Sequence, residues 1–341
     1  MKRERLFYLD FIRALATILI IITHYNALYL YLPEPTPEKA FITTEVFNIY
    51  IGDLGSALFF IISGAALMHV YENECNLKKY YKKRFLSIFP MFWMTFVIDF
   101  LFRCYLDGGI NPTIPKWKII FSIIGMDGYL EEIVHAFFCV GEWFLGCIIL
   151  MYIIFPLLRW LIEKKPVILV ICTGLLYVIT LLTDGKVFPL GKNMFVHLPK
   201  FVFGMFFVRY IKKVNIPMFM SSILIVLLNS LIDLKSVSSI IQALYIGIAT
   251  FLILIFLSKH IECQPIRYIS SVISKYSYAI FLVHHVIILR LTSKIDLVNI
   301  TKTNSYLLFF FCVLCIAFVS KMIYVLHEKM MESIKWMFKK E

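Results

Sequence analysis

Long apolar runs separated by short polar breaks recur along the whole chain. Runs of about 18 residues or more can cross a bilayer as helices. Ten such spans are read, at about residues 7–31, 46–70, 85–106, 137–160, 166–183, 195–211, 216–234, 237–257, 276–293 and 304–326. The pattern predicts an all-α fold: a polytopic transmembrane helix bundle that forms one membrane domain over 1–341, with no separate soluble domain. The breaks at 32–45 and 107–136 are the longest and contain Pro, Gly and carboxylates. They are read either as re-entrant or lid segments or as plain loops, and 119–134 fits an amphipathic interfacial helix. No internal repeat of the inverted-repeat transporter kind is visible.

Composition agrees with the pattern. The chain has 341 residues, 60% of them hydrophobic and 16% charged, and a mean hydropathy of +0.82. A soluble domain of this length needs more polar surface. The net charge of +12 does not point to nucleic acid, because the basic residues sit at the ends of apolar spans. With the N-terminus placed in the cytoplasm, 21 Lys and Arg fall on inside segments and nine on outside ones. The inside set includes Lys2, Arg3 and Arg5, the cluster KKYYKKR at 78–84, and Lys335, Lys339 and Lys340; the outside set includes Lys186 and Lys235. This bias predicts both termini in the cytoplasm. The first apolar run is too long, and too polar inside, for a cleavable leader. The eight cysteines are scattered through apolar segments, so no disulfide framework is expected. Cys312 and Cys315 lack a partner pair and read as core, and no metal cluster is expected.

The stretch LFYLDFIRALATILIIITHYN, residues 6–26, carries Asp10, Arg13 and His24 inside a span. At 100° per residue, the 11-residue step from Arg13 to His24 turns through 1100°, about 20° beyond three full turns, so both share one face about 16 Å apart. Asp10 and Arg13 are three residues apart and can pair, which lowers the cost of either charge at depth. Thr17 lies on the same stripe. The plainer alternative makes Asp10 and Arg13 interfacial anchors and His24 a satisfied packing residue, whereas ionisable residues inside spans usually line a site or pathway. Imidazole can take a proton from a hydroxyl near neutral pH, and a guanidinium suits phosphate or carboxylate.

At these residues the sequence resembles the acyltransferase-3 family, integral-membrane enzymes that acylate sugars of envelope and exported polysaccharides. YLDFIRALATILIIITH looks like the family's first span, with Arg13 and His24 at its Arg-x10-His spacing. GSALFFIISG (55–64), YYKKRFLSIFP (80–90), EWFLGCIILMYIIFPLL (142–158), HLPKFVFGM (197–205) and SYAIFLVHH (277–285) are similar to later blocks, in the right order. His284 falls on the family histidine. Ala57 stands where many members carry Asp, and Ser87 where many carry a second Arg, which suggests a divergent subgroup.

The resemblance implies an acyl donor on the cytoplasmic side, acetyl-CoA or another acyl-CoA as co-substrate with no bound cofactor. It implies as acceptor a hydroxyl of a cell-envelope carbohydrate or lipid-linked glycan, in the inner membrane of a bacterium. Arg84, with Lys83, is the expected donor contact in the basic cluster. Arg13, paired with Asp10, is expected to hold donor phosphate or orient the thioester end. His24 is expected as general base or transient acyl carrier. Glu142 is expected to bind sugar hydroxyls, and Trp143 either stacks on a sugar or anchors at the interface. His284 either completes the site or makes a structural hydrogen bond. Ser63 reads as a packing residue beside Gly64, and Asp99 with Arg103 as a local ion pair. His69, His135, His197 and His285 receive no role. The rival readings are a transporter or flippase of a lipid-linked sugar or small anion, and a non-catalytic partner of a polysaccharide machine.

Overall fold

The computed structural model describes residues 6–106, 108–183, 188–232, 234 and 237–337, without the side chains of Lys335 and Met337. Lys2, Arg3, Arg5, Lys186, Lys235, Lys339 and Lys340 of the inside and outside sets lie outside the described residues. The fold is an all-α polytopic bundle. Its helices are α1 Phe7–Leu30, α2 Ile51–Tyr71, α3 Leu77–Leu106, α4 Ile119–Ile123, α5 Asp127–Leu130, α6 Glu142–Lys164 and α7 Pro166–Leu182. They continue with α8 Met194–Phe206, α9 Ile216–Leu231, α10 Ser239–Ile261, α11 Gln264–Thr292 and α12 Lys302–Met337. Two short strands, β1 Glu45–Val46 and β2 Ile49–Tyr50, pair antiparallel.

Among the described residues, eight helices are long and apolar enough to cross a membrane, and α7 and α9 are shorter apolar helices. The ten sequence spans overlap these ten helices but differ at their ends; residues 137–141, read as the start of the fourth span, are not helical. Residues 46–50, read as the start of the second span, form the hairpin instead, with Phe47 and Asn48 both at positive φ in its turn. The helix bearing the third span begins at Leu77, so the basic cluster occupies its first turns. The ninth and tenth helices run on into polar sequence, from 264 and to 337. The single interfacial helix expected over 119–134 is broken into α4 and α5 at Gly125 (φ +69), and 131–134 is not helical.

Local sequence explains several helix starts. Asn193 accepts from the Phe195 amide at 2.9 Å, and Asn215 from the Met218 amide at 2.9 Å, each satisfying an N–H that the helix leaves unpaired. Pro166 opens α7, where its missing N–H costs nothing. Pro90, Pro156 and Pro199 lie inside helices, as spanning helices tolerate when neighbours satisfy the freed carbonyls.

The chain forms two compact units. The first comprises Met1–Asn26, Ile42–Leu77 and Leu150–Lys275. Within it, α2 and α8 meet at backbone distance. A Cβ on Gly64 would stand 2.0 Å from the Phe201 carbonyl oxygen, and one on Gly204 would stand 1.9 Å from that of Ile61. Small residues permit such close approach where lipid supplies no hydrophobic drive. A Cβ on Gly247 would lie 2.7 Å from the Ala57 Cβ. Gly247 thus lets α10 approach α2 closely at Ala57. At the end of α2, Arg159 donates to the carbonyls of Tyr71 (2.5 Å) and Glu72 (3.1 Å) and pairs with Glu163 at 2.9 Å.

The second unit comprises Ala27–Phe41, Lys78–Ile149 and Tyr276–Glu341. In it Asp99 is buried and holds two guanidiniums, Arg103 Nε at 2.7 Å and Arg290 Nη2 at 2.7 Å. The expected local pair is thus half of a larger cluster. Arg103 also donates to the carbonyls of Phe138 (3.4 Å) and Cys139 (3.2 Å), and Arg290 lies over the Phe102 ring at 4.4 Å. Tyr278 donates to the Ile88 carbonyl at 3.0 Å, and Phe144 meets Phe281 edge-on at 5.6 Å.

Candidate functional site

In the first unit, α1 sets Asp10, Arg13 and Thr17 along one face. The chain returns 261 residues after Arg13 to bring Ser274, in the first half of α11, to the same place. The Ser274 hydroxyl donates to Asp10 Oδ1 at 2.7 Å and accepts from Arg13 Nη1 at 3.3 Å. One hydroxyl thus serves carboxylate and guanidinium together, with its proton toward the anion. Thr17 donates to the Arg13 carbonyl at 2.8 Å, which turns its hydroxyl back along the helix. Asp10 is 6% exposed, whereas Arg13 and His24 are half-buried. A buried carboxylate is tolerable only with partners of this kind.

A second polar group of this unit lies between α2 and α8. Lys200 is 2% exposed and donates to His197 Nδ1 at 3.2 Å. His197 Nε2 donates to the Gly191 carbonyl at 2.9 Å, and its ring stacks on Phe60 at 4.5 Å. These bonds fix the His197 tautomer and give that histidine a structural place.

In the second unit, Lys83 is exposed and Arg84 half-buried in the first turns of α3, where the Ser87 hydroxyl donates to the Arg84 carbonyl at 2.8 Å. At the start of α6, Glu142 has φ +26 and follows Gly141 at φ +98. Its Oε1 is bonded to Nδ1 of His285 on α11. Trp143 meets Phe144 edge-on at 6.1 Å. His284 is 1% exposed, and its Nδ1 donates to the carbonyls of Phe281 (2.8 Å) and Ile280 (3.1 Å) of its own helix. Between α3 and α6, Asp127 is 2% exposed; burial pushes its carboxyl up from 3.8 to about 6, against the lowering effect of Ser122 and the Gly128 amide.

The structure therefore brings Asp10 and Arg13 together within the first unit, which also carries His24. Glu142, Trp143 and His284 gather in the second unit, which also carries Lys83 and Arg84. Two partners escaped the sequence reading, Ser274 and His285. The signals for them are a serine-rich polar start to the ninth apolar helix and a His-His pair inside an apolar run. Among the described residues, no group of three or more His, Cys, Asp or Glu side chains converges as a metal site would require.

Comparison with known proteins comes to rest on one family. The family described as an acyltransferase domain matches residues 6–326, nearly the whole chain. A curated relative, acyltransferase MdmB of Streptomyces mycarofaciens, is 26% identical over 122 residues, which is 34% of this chain. The match spans about a third, 31%, of that relative's length. No solved structure matches.

Proposed function

The chain belongs to the acyltransferase-3 family and is a membrane acyltransferase, and from that premise we propose the reaction it performs. It transfers an acyl group, acetyl in the first instance, from acyl-CoA on the cytoplasmic side to a hydroxyl of a cell-envelope or exported glycan. It acts as a single membrane domain in the inner membrane of a bacterium.

The observation that carries this reading is the Asp10–Ser274–Arg13 network on the helix that also bears His24. A half-buried arginine that shares its serine partner with a carboxylate is suited to the phosphates or thioester end of the donor. Arg84 and Lys83 add positive charge for the donor. His24, three turns along the stripe from Arg13, is the general base toward the hydroxyl or a transient acyl carrier. Trp143 serves the acceptor, and Glu142 and His284 support that side of the reaction from α6 and α11.

The experiment supplies radiolabelled acetyl-CoA to membranes that contain the full chain and follows label into glycan, for wild type and His24→Ala. The expected result is labelled glycan with wild type and a loss of about 10²-fold or more in the variant, with membrane insertion unchanged. Equal labelling by both removes His24 from the chemistry. Glycan movement across the membrane without any label would favour a transporter.

A further inference from the structure

The bond between Glu142 and His285 joins the first residue of α6 to a residue two turns from the end of α11. Its surroundings are built around it. The Glu142 backbone is at φ +26, a region that side-chain-bearing residues rarely occupy, reached through Gly141 at φ +98. Helix α5 presses on that turn: a Cβ on Gly128 would stand 2.8 Å from the Glu142 carbonyl carbon, and one on Gly146 would stand 2.4 Å from the Tyr129 Cβ. The edge-on contact of Phe144 with Phe281 joins the same two helices, α6 and α11.

The two adjacent histidines are treated differently. His284 is 1% exposed and spends its Nδ1 proton on the carbonyls of its own helix. The His285 side chain is 31% exposed and that of Glu142 16%, so the His285 ring is the one a reactant can reach. With Nδ1–H given to the carboxylate, the neutral ring carries its lone pair on Nε2. A carboxylate that fixes the tautomer and stabilises the developing imidazolium is the arrangement that makes histidine an effective base.

We propose that His285, oriented by Glu142, is the general base that takes the proton of the acceptor hydroxyl. This rests on the acyltransferase reading above and leaves His24 the acyl-carrier role. The hydroxyl oxygen attacks the acyl carbonyl carbon while its proton passes to His285 Nε2. A C–O bond forms, and the bond from the acyl carbon to the atom that carries it breaks. The departing atom takes the proton back, so the base is regenerated and the products are an ester and the protonated carrier. Glu142 is a positioning residue: it touches the base and not the substrate.

The test uses the full chain purified in detergent, acetyl-CoA as donor and two kinds of nucleophile. Methyl glucoside, or water where the glucoside is not accepted, needs its proton removed. Hydroxylamine, largely unprotonated at neutral pH, does not. His285→Ala and Glu142→Gln should each lower transfer to glucoside or water by about 100-fold and leave hydroxamate formation within a few fold, which also reports that the protein is folded. Imidazole added to His285→Gly should restore transfer at least about tenfold, a recovery that a purely structural role does not produce. Variants that keep transfer to glucoside or water overturn the inference. So does parallel loss of both kinds of nucleophile, a failure of imidazole rescue, or a wild type that acetylates hydroxylamine alone. A wild type that acetylates none of them removes the acyltransferase reading itself, and the inference falls with it.

Discussion

Replacing Gly64 with alanine inserts one methyl between two backbones. The new Cβ would stand 2.0 Å from the Phe201 carbonyl oxygen and 2.9 Å from its carbon. An ordinary carbon–oxygen contact is about 3.4 Å, so α2 and α8 must part locally by about 1.4 Å. A gap of about 1 Å already forfeits about half of each dispersion contact along an interface, and these helices carry the fully buried Phe60 and Phe201. Backbone cannot rotate aside as a side chain can, so the cost should reach the upper end of overpacking, about 3 kcal/mol. Gly204→Ala makes the reciprocal clash, 1.9 Å from the Ile61 carbonyl oxygen, and should cost a similar amount. Once the helices have parted for one methyl, the second needs less, so the double variant should fall short of the sum by 1 kcal/mol or more, as coupled sites do. The measurement is unfolding of the detergent-solubilised chain in a denaturing-detergent titration. Gly174→Ala serves as the control, since nothing lies within 4 Å of a Cβ there. Single variants within about 0.5 kcal/mol of wild type, or strictly additive costs, would refute the backbone-contact argument.

Three further outcomes are expected. Asp127 binds its proton more tightly in the folded protein than in the unfolded chain, with the carboxyl raised from 3.8 to about 6. Stability should therefore fall as pH rises from about 4 to about 6 and then level off, by about 3 kcal/mol at most; Asp127→Asn should flatten that slope, and an unchanged pH profile of the melting temperature would refute the assignment. Asp99→Ala leaves Arg103 and Arg290, with side chains 39% and 28% exposed, without their shared carboxylate; partial solvation reduces the usual cost of breaking a buried pair to about 2 kcal/mol, readable in the same titration. Ser274→Ala removes the hydroxyl between Asp10 and Arg13, and thiol release from acetyl-CoA should show kcat/KM lower by about tenfold or more, since hydrogen bonds to charged groups contribute about 1.5–3 kcal/mol; unchanged kinetics would show that the bridge does not orient Arg13.

Much of this architecture was legible in the hydrophobic pattern, because crossing a bilayer demands long apolar helices and leaves little choice of structure. Hydropathy marks the part of a helix that meets lipid and not the helix itself. The polar first half of α11 and the charged end of α12 therefore lie outside the spans that hydropathy marks. Gly125 looked like an ordinary member of an amphipathic run, and only its left-handed backbone reveals the break. The Asp10, Arg13 and His24 stripe could be read because α-helical periodicity is local arithmetic. Ser274 and His285 could not, since each meets its partner across more than 140 residues of chain, and periodicity within one helix says nothing about which helices meet.

The left-handed turn at residue 142 has a consequence for how this protein can change. Holding a glutamate at φ +26 costs about 1–3 kcal/mol that glycine would not incur. A library screened for heat resistance alone should therefore enrich Glu142→Gly and discard the carboxylate in the process. Lineages kept under pressure for turnover should retain the strained residue and find their added robustness elsewhere in the chain.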